Sequence, residues 1–463
     1  MRSFLNTVIA VVVGTGTLAA ADDRQAFVQA IEAARATLEH TGELTVGERT
    51  IYGHRFVDGL YAQNNNQPLW NASNRQALFS ALDSLQGDGL DPADYIFPEV
   101  ADYLPPQRQS ALTAAERLEL DILLTEGLIR ALYNLAFGRV DPVALDGNFN
   151  FARKLENTDI TTRLIDSAVT GQVDTLLDSV RPQRPSYAAL KQGLQRYRDI
   201  QTNGGWQPIP DGKALKPGDT GDDRIPLIAE RLAITGDFSM PPGESQDLAY
   251  DEALVEAVER FQARHNLGAD GVLGAKTRAA MNVPVDQRID QIRVNLERQR
   301  WYLHALEDEF ILVNIAGFNV LWVKDDTIEW EQIAQVGKEF TQTPVFKDEI
   351  EYHDFNPPGT IPPGILNHTV SPNLTKHPGY LDKKGYELLT LQGQPVDPST
   401  VDWKNLQGFP YMVRQPPGPN NALGLVKFMF PNPHLVFLHD TNARHLFDRP
   451  RRLFSSGCIR VKE

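Results

Sequence analysis

The spacing of apolar residues changes once along this chain, and that change limits what the chain can fold into. Up to about residue 302, hydrophobic side chains recur at helical intervals. From about Phe310 they gather in short runs rich in Val and Ile, separated by turn residues. A helical period and a strand period cannot serve the same element. The chain is therefore read as multidomain α+β, with helices first and a mostly-β region last. At roughly 100–200 residues per domain, its 463 residues hold several.

Residues 24–38 carry Phe27, Ile31 and Leu38 at helical spacing. Residues 75–85 repeat the pattern with Leu78, Leu82 and Leu85, and a long periodic stretch over 115–137 halts at Gly138 and Pro142. Residues 22–205 are read as a helical scaffold domain without chemistry of its own. A Gly/Pro-rich break over 203–221 has linker composition. Beyond it, amphipathic helices over 224–235 and 252–265, a tight turn from Gly268 to Gly274 and a short third helix form a small module at 212–284. A further helix, 285–302, is predicted to lead out of it.

Strand-like runs at 310–315, 319–323 and 327–336 open the last domain, 300–463. Pro/Gly-rich stretches at 357–363 and 415–424 bracket a polar segment containing His377, Tyr380, Tyr386 and Trp403. Its length exceeds that of an ordinary connection. Residues 364–425 are therefore predicted to form a lid.

At the N-terminus, Arg2, an apolar run from Val8 to Val13 and small residues Ala19 to Ala21 read as a signal peptide over 1–21. The alternative is an uncleaved membrane tether. The run is broken by Gly14, Thr15 and Gly16, and is shorter than the ~20 residues that span a bilayer. The net charge of -15 excludes nucleic acid as a partner.

Cys458 is the single cysteine. One thiol cannot form a disulfide within its own chain, so in an exported protein it is either a buried, inert group or a group with a use. Gly457 before it permits a tight turn whose backbone N–H groups could face an oxyanion. In an extended segment Arg460 points to the same side as Cys458, where it would favour thiolate or hold a carboxylate. Upstream, residues 434–441 are predicted to form a strand ending in His439, Asp440 and Thr441. Paired with Cys458, His439 reads as a general base. A zinc site from His434, His439 and His445 is the competing reading, but the spacing fits no standard ligand pattern, and no metal is expected. Asp440, adjacent to His439 in a strand, would point the other way and is read as structural. Ser456 either packs or lines the site.

The residues His439-Asp440-Thr441, followed by Ser455-Ser456-Gly457-Cys458-Ile459-Arg460, resemble the catalytic motif of L,D-transpeptidases, the YkuD-type domain. The match is closest to large Gram-negative members of the YcbB type. Residues 414–424, Lys427-Phe428 and Pro431-Asn432 resemble the approach to their active site. The turn Gly268 to Gly274 with Thr277 resembles a three-helix peptidoglycan-binding module. Residues 87–92 and 138–142 are similar to their helical scaffold.

The resemblance implies a periplasmic enzyme that joins peptidoglycan stem peptides through 3→3 cross-links. Cys458 would form a thioester with a donor stem, and His439 would act as general base. Gly457 and Cys458 would supply the oxyanion hole, with Ser456 and Arg460 orienting the site. Phe437, Thr441, Asn421, Tyr380 and Trp403 are further candidates for substrate contact. No cofactor is implied, because the thioester conserves the energy of the broken amide. The same intermediate would serve an L,D-carboxypeptidase if water replaced the amine. Two positions depart from the pattern: Phe437 stands where relatives carry tyrosine, and Gly359 where tryptophan is common. The chain also stops at Glu463, soon after Cys458. This raises the expectation of a truncated catalytic domain with a frayed nucleophile, and of an inert wall-binding scaffold as the third reading.

Overall fold

A computed structural model describes residues 20–109, 111–153, 159–240 and 248–462. The expected signal peptide lies outside them, except for Ala20 and Ala21, which open the first helix. No helix among the described residues is long and apolar enough to cross a membrane.

In chain order the main helices are α1 (Ala20–Thr41), α2 (His54–Gln63), α3 (Ala72–Ser84), α4 (Ala114–Phe137), α5 (Ile160–Thr170), α6 (Val173–Val180) and α7 (Pro185–Thr202). Then come α8 (Arg224–Ile234), α9 (Glu252–Arg264), α10 (Ala275–Met281) and α11 (Val285–Tyr302). The described chain forms two compact units. The first contains α1–α7 and α11, and the second contains α8–α10 and everything from Glu307 onward.

In the first unit, α4 begins where Thr113 and Glu116 cap one another's backbone N–H groups. It ends at Gly138, whose φ of +83° suits glycine. Leu128, Ala131 and Leu135 of α4 meet Val57, Tyr61, Leu78 and Leu82 in a continuous core. The helix predicted to lead out of the three-helix module does so, and belongs to the first unit. Ile289 and Leu296 of α11 share a second apolar cluster with Tyr187 and Leu194 of α7.

Asp121 lies inside the first core. It accepts hydrogen bonds from Tyr61 Oη and from the backbone N–H groups of Leu69 and Trp70. Burial outweighs these donors and pushes its carboxyl up to about 6. Below the unfolded-state value of 3.8 both states are protonated. Between 3.8 and about 6 the unfolded chain ionises first, so stability falls as pH rises through that window. The contribution is about 3 kcal/mol. Asp121→Asn should flatten that segment of a plot of unfolding midpoint against pH; an unchanged slope would show that Asp121 does not carry it.

In the second unit, Ile228, Leu232, Leu254, Val258, Phe261 and Met281 build the core of the α8–α10 module. Its turn is held by buried Gln262. The Gln262 Nε2 donates to Asp270, Val272 and Thr277, all at 3.0 Å, while its Oε1 accepts from the N–H groups of Asp270 and Gly271.

The strands of the second unit are β1 (Glu309–Asn314), β2 (Asn319–Lys324), β3 (Thr327–Gly337), β4 (Tyr352–Phe355), β5 (Gly359–Thr360), β6 (Glu387–Thr390), β7 (Tyr411–Gln415), β8 (Val426–Met429), β9 (Leu438–His439), β10 (Leu453–Ser455) and β11 (Ile459–Val461). The principal sheet has the order β1-β2-β3-β11-β9-β8-β4, with β10 also paired to β3. Val320, Ala334, Val436, Leu438 and Ile459 form the core on one side of it.

The insertion between β5 and β8 has its own three-stranded sheet, β5-β7-β6, and its own core. Leu366, Val370, Leu374, Leu381, Leu388 and Val413 fill that core, with Tyr380, Tyr386 and Trp403 packed against it. Asn421 closes the base of the insertion. Its Nδ2 donates to the carbonyls of Pro357, Gln415 and Pro416, and its Oδ1 accepts from Leu423 N–H.

Candidate active site

The strand predicted over 434–441 is interrupted. The Asn432 side chain donates to the Phe430 and Val436 carbonyls and accepts from the His434 and Val436 N–H groups. These bonds fold residues 432–436 into a turn in which Leu435 has a φ of +55°. Only Leu438 and His439 remain as strand. That short strand runs parallel to β11, pairing Leu438 with Ile459 and His439 with Arg460.

The register decides which side chains meet. Residues paired across neighbouring strands share a face, and alternate residues along a strand share it too. Lys427 pairs with His439, Asp354 with Lys427, and Arg460 with Gln335. One face of the sheet therefore carries a polar row, Asp354–Lys427–His439–Arg460–Gln335. Cys458 adjoins it next to Arg460, and the apolar core occupies the other face.

Ser455 shapes the turn before the nucleophile. Its hydroxyl donates to the Cys458 carbonyl at 2.6 Å and accepts from the Gly457 N–H at 3.1 Å. Thr343 Oγ1 donates to the Gly457 carbonyl at 2.7 Å. The oxyanion role expected of the Gly457 N–H is thus displaced in this arrangement, because Ser455 already engages that group. The Cys458 N–H has no acceptor among the described residues.

Gly457 has a φ of +118°, and an added Cβ would lie 3.4 Å from Val436 Cγ2. Gly457→Ala should destabilise the turn by about 1–3 kcal/mol, read as a lower denaturation midpoint together with altered Cys458 alkylation. An unchanged midpoint and alkylation rate would contradict the assignment of strain to this turn.

Burial raises the Cys458 thiol above its ordinary range, against the pull of the Phe437 N–H, Arg460 and Lys427 toward thiolate. The expected thiolate-favouring effect of Arg460 is present but outweighed. The sulfur hydrogen-bonds to the Leu435 carbonyl at 3.8 Å. His439 is buried, and its imidazole is lowered to about 4, first by burial and then by Arg460. Its Nδ1 contacts the Asp440 carbonyl. A carbonyl only accepts, so Nδ1 carries the proton and the Nε2 lone pair is available as a base. Among the described residues no hydrogen bond joins Cys458 to His439. Both groups rest in neutral form.

Arg460 donates to Gln335 Oε1 at 3.3 Å, and its buried Nε has no hydrogen-bond partner. Asp440 accepts from the Leu425 N–H and pairs with Arg444, so its carboxylate braces the surrounding loops. Thr441 is buried, and its hydroxyl accepts from the Ala443 N–H. Ser456 is exposed beside the nucleophile, and Phe437 lies under Lys427 with 3.7 Å from Nζ to the ring centroid. Tyr380 and Trp403 are held within the insertion and Asn421 at its base. Lys427 and Gln335 were given no chemical role by the sequence, since only strand register brings them to His439 and Arg460.

Residues 308–463 match the YkuD family, the L,D-transpeptidase catalytic domain. Residues 222–281 match a family described as "Putative peptidoglycan binding domain", and residues 55–194 match a scaffold domain. A protein of Haemophilus influenzae named "Putative L,D-transpeptidase" is 36% identical over 154 residues, covering 33% of this chain and 31% of that protein. This chain thus spans less than a third of that relative's length. Residues 308–463 belong to the L,D-transpeptidase catalytic domain family of YkuD type, carried in one chain with a peptidoglycan-binding domain.

Proposed function

We propose that the chain is an extracytoplasmic peptidoglycan L,D-transpeptidase of the YcbB type, working in the periplasm and forming 3→3 cross-links through a Cys458 thioester. The observation that carries this reading is the register that lines His439 up with Arg460 and sets Cys458 beside them on one face. A thiol, a neutral imidazole with a free lone pair and a fixed cation are the parts an acyl transfer requires.

In the first half-reaction His439 Nε2 takes the thiol proton as sulfur attacks the carbonyl of the donor's third residue. The C–N bond to the terminal residue then breaks, and the imidazolium returns the proton to the departing amine. In the second half-reaction an acceptor amine attacks the thioester, His439 takes its proton, and the thiolate leaves and is reprotonated. The Cys458 N–H supports the oxyanion. The α8–α10 module would hold the chain on peptidoglycan.

Purified protein incubated with disaccharide tetrapeptide should yield a cross-linked dimer and a transient acyl adduct on Cys458, both read by mass spectrometry. Tripeptide without dimer would make the protein a carboxypeptidase. Wall binding without any adduct would make it an inert scaffold.

A further inference from the structure

We propose that Lys427 anchors the carboxylate of the residue that leaves when Cys458 is acylated, a role that rests on the acyl-transfer reading. Lys427 is the register partner of His439 on the neighbouring strand, so it stands on the face that carries the reactive groups. Its ammonium lies 3.7 Å from the centroid of the Phe437 ring. The Phe437 N–H in turn pulls the Cys458 thiol toward thiolate. The cation is therefore held over the ring of Phe437, two residues before His439.

The two cations of the row differ in what they hold. Arg460 is tied to Gln335 Oε1, and Gln335 is tied to the Ala443 carbonyl. Among the described residues, the Lys427 ammonium has no hydrogen-bond acceptor and no ion-pair partner; Cys458 and then Asp354 act on it only through longer-range attraction. An ammonium carries three donors and is strongly hydrated. Half-buried against an aromatic face, it loses hydration and gains only the ring's attraction. A carboxylate would satisfy it. In a donor peptide the scissile carbonyl and the terminal carboxylate are separated by one residue, about 3.5 Å of extended chain. In the proposed complex the sulfur takes the first of those ends and the ammonium the second. Lys427 is thus a positioning residue that selects donors having one residue with a free carboxyl group beyond the attacked carbonyl.

The test uses the full chain with Cys458→Ala, which cannot be acylated, and two synthetic tetrapeptide stems, one ending in a carboxylate and one in a carboxamide. Calorimetry should show the acid bound more tightly than the amide. Adding Lys427→Gln should weaken acid binding by about tenfold or more, the range of a charge-assisted hydrogen bond, and leave amide binding within about twofold. Lys427→Arg should keep the preference for acid, which separates lost charge from lost fold. Undiminished discrimination in Lys427→Gln, or no acid binding by the parent, would overturn the proposal. A parallel incubation of the wild-type chain with the acid peptide reads Cys458 by mass. Lys427-dependent discrimination without a Cys458 adduct would retain the carboxylate anchor and reject acyl transfer.

Discussion

Cys458→Ala should abolish every acyl adduct and reduce turnover of a tetrapeptide donor by on the order of 10⁶-fold, the scale on which an enzyme loses its nucleophile. The side chain is partly buried and its sulfur donates one long hydrogen bond, to the Leu435 carbonyl, so the fold should persist. In the wild type the thiol is raised by burial. Alkylation of Cys458 by iodoacetamide should therefore be slow at pH 7 and still climbing at pH 9, about tenfold per unit while the thiolate is scarce. A plateau reached below pH 7 would mean that the resting site holds a preformed thiolate, contrary to the neutral pair described above.

The second large effect belongs to His439. His439→Gln can still donate to the Asp440 carbonyl, but it has no basic nitrogen. Loss of general-base catalysis should lower kcat/KM by about 10²–10⁴-fold. The acid limb of the wild-type pH profile follows from the same burial. An imidazole lowered from 6.5 to about 4 is unprotonated, and so competent, until the pH falls through about 4. The free-enzyme kcat/KM should consequently show no loss near pH 6.5, and its acid limb should vanish in His439→Gln. An acid limb centred near 6.5 would show that His439 is not the group being titrated, or that its surroundings do not depress it.

The order of helices before strands was legible because the hydrophobic period changes near Phe310. The stop of α4 was legible from the break at Gly138 and Pro142, whereas the cap at Thr113 that starts it emerged only from the structure. Cys458 and His439 could be singled out because Ser-Gly-Cys-x-Arg is a local pattern. What stayed hidden was non-local. The Asn432 side chain ends the strand predicted from residue 434, and hydropathy cannot report a side chain's hydrogen bonds. The Ser455 hydroxyl engages the Gly457 N–H, which sequence alone presented as an open donor. Gln335 meets Arg460 and Lys427 meets His439 only after a register is chosen, and register depends on the whole sheet. Tyr380 and Trp403 suggest a ligand surface in sequence, yet aromatic rings also fill an insertion's small core. The packing of α11 against α7 was equally invisible, since helical spacing identifies a buried face without naming its partner.

The position of β11 bears on how the protein reaches its folded form. This strand follows the other described strands in sequence, yet it fills the centre of the sheet, parallel to β9 and antiparallel to β3. Before it inserts, β9 and β3 present two facing rows of unpaired amide and carbonyl groups, the kind of open edge that recruits stray strands from other molecules. Such long-range closure is slow. Folding should therefore pass through a brief, sticky interval that ends with the same step that assembles the reactive row.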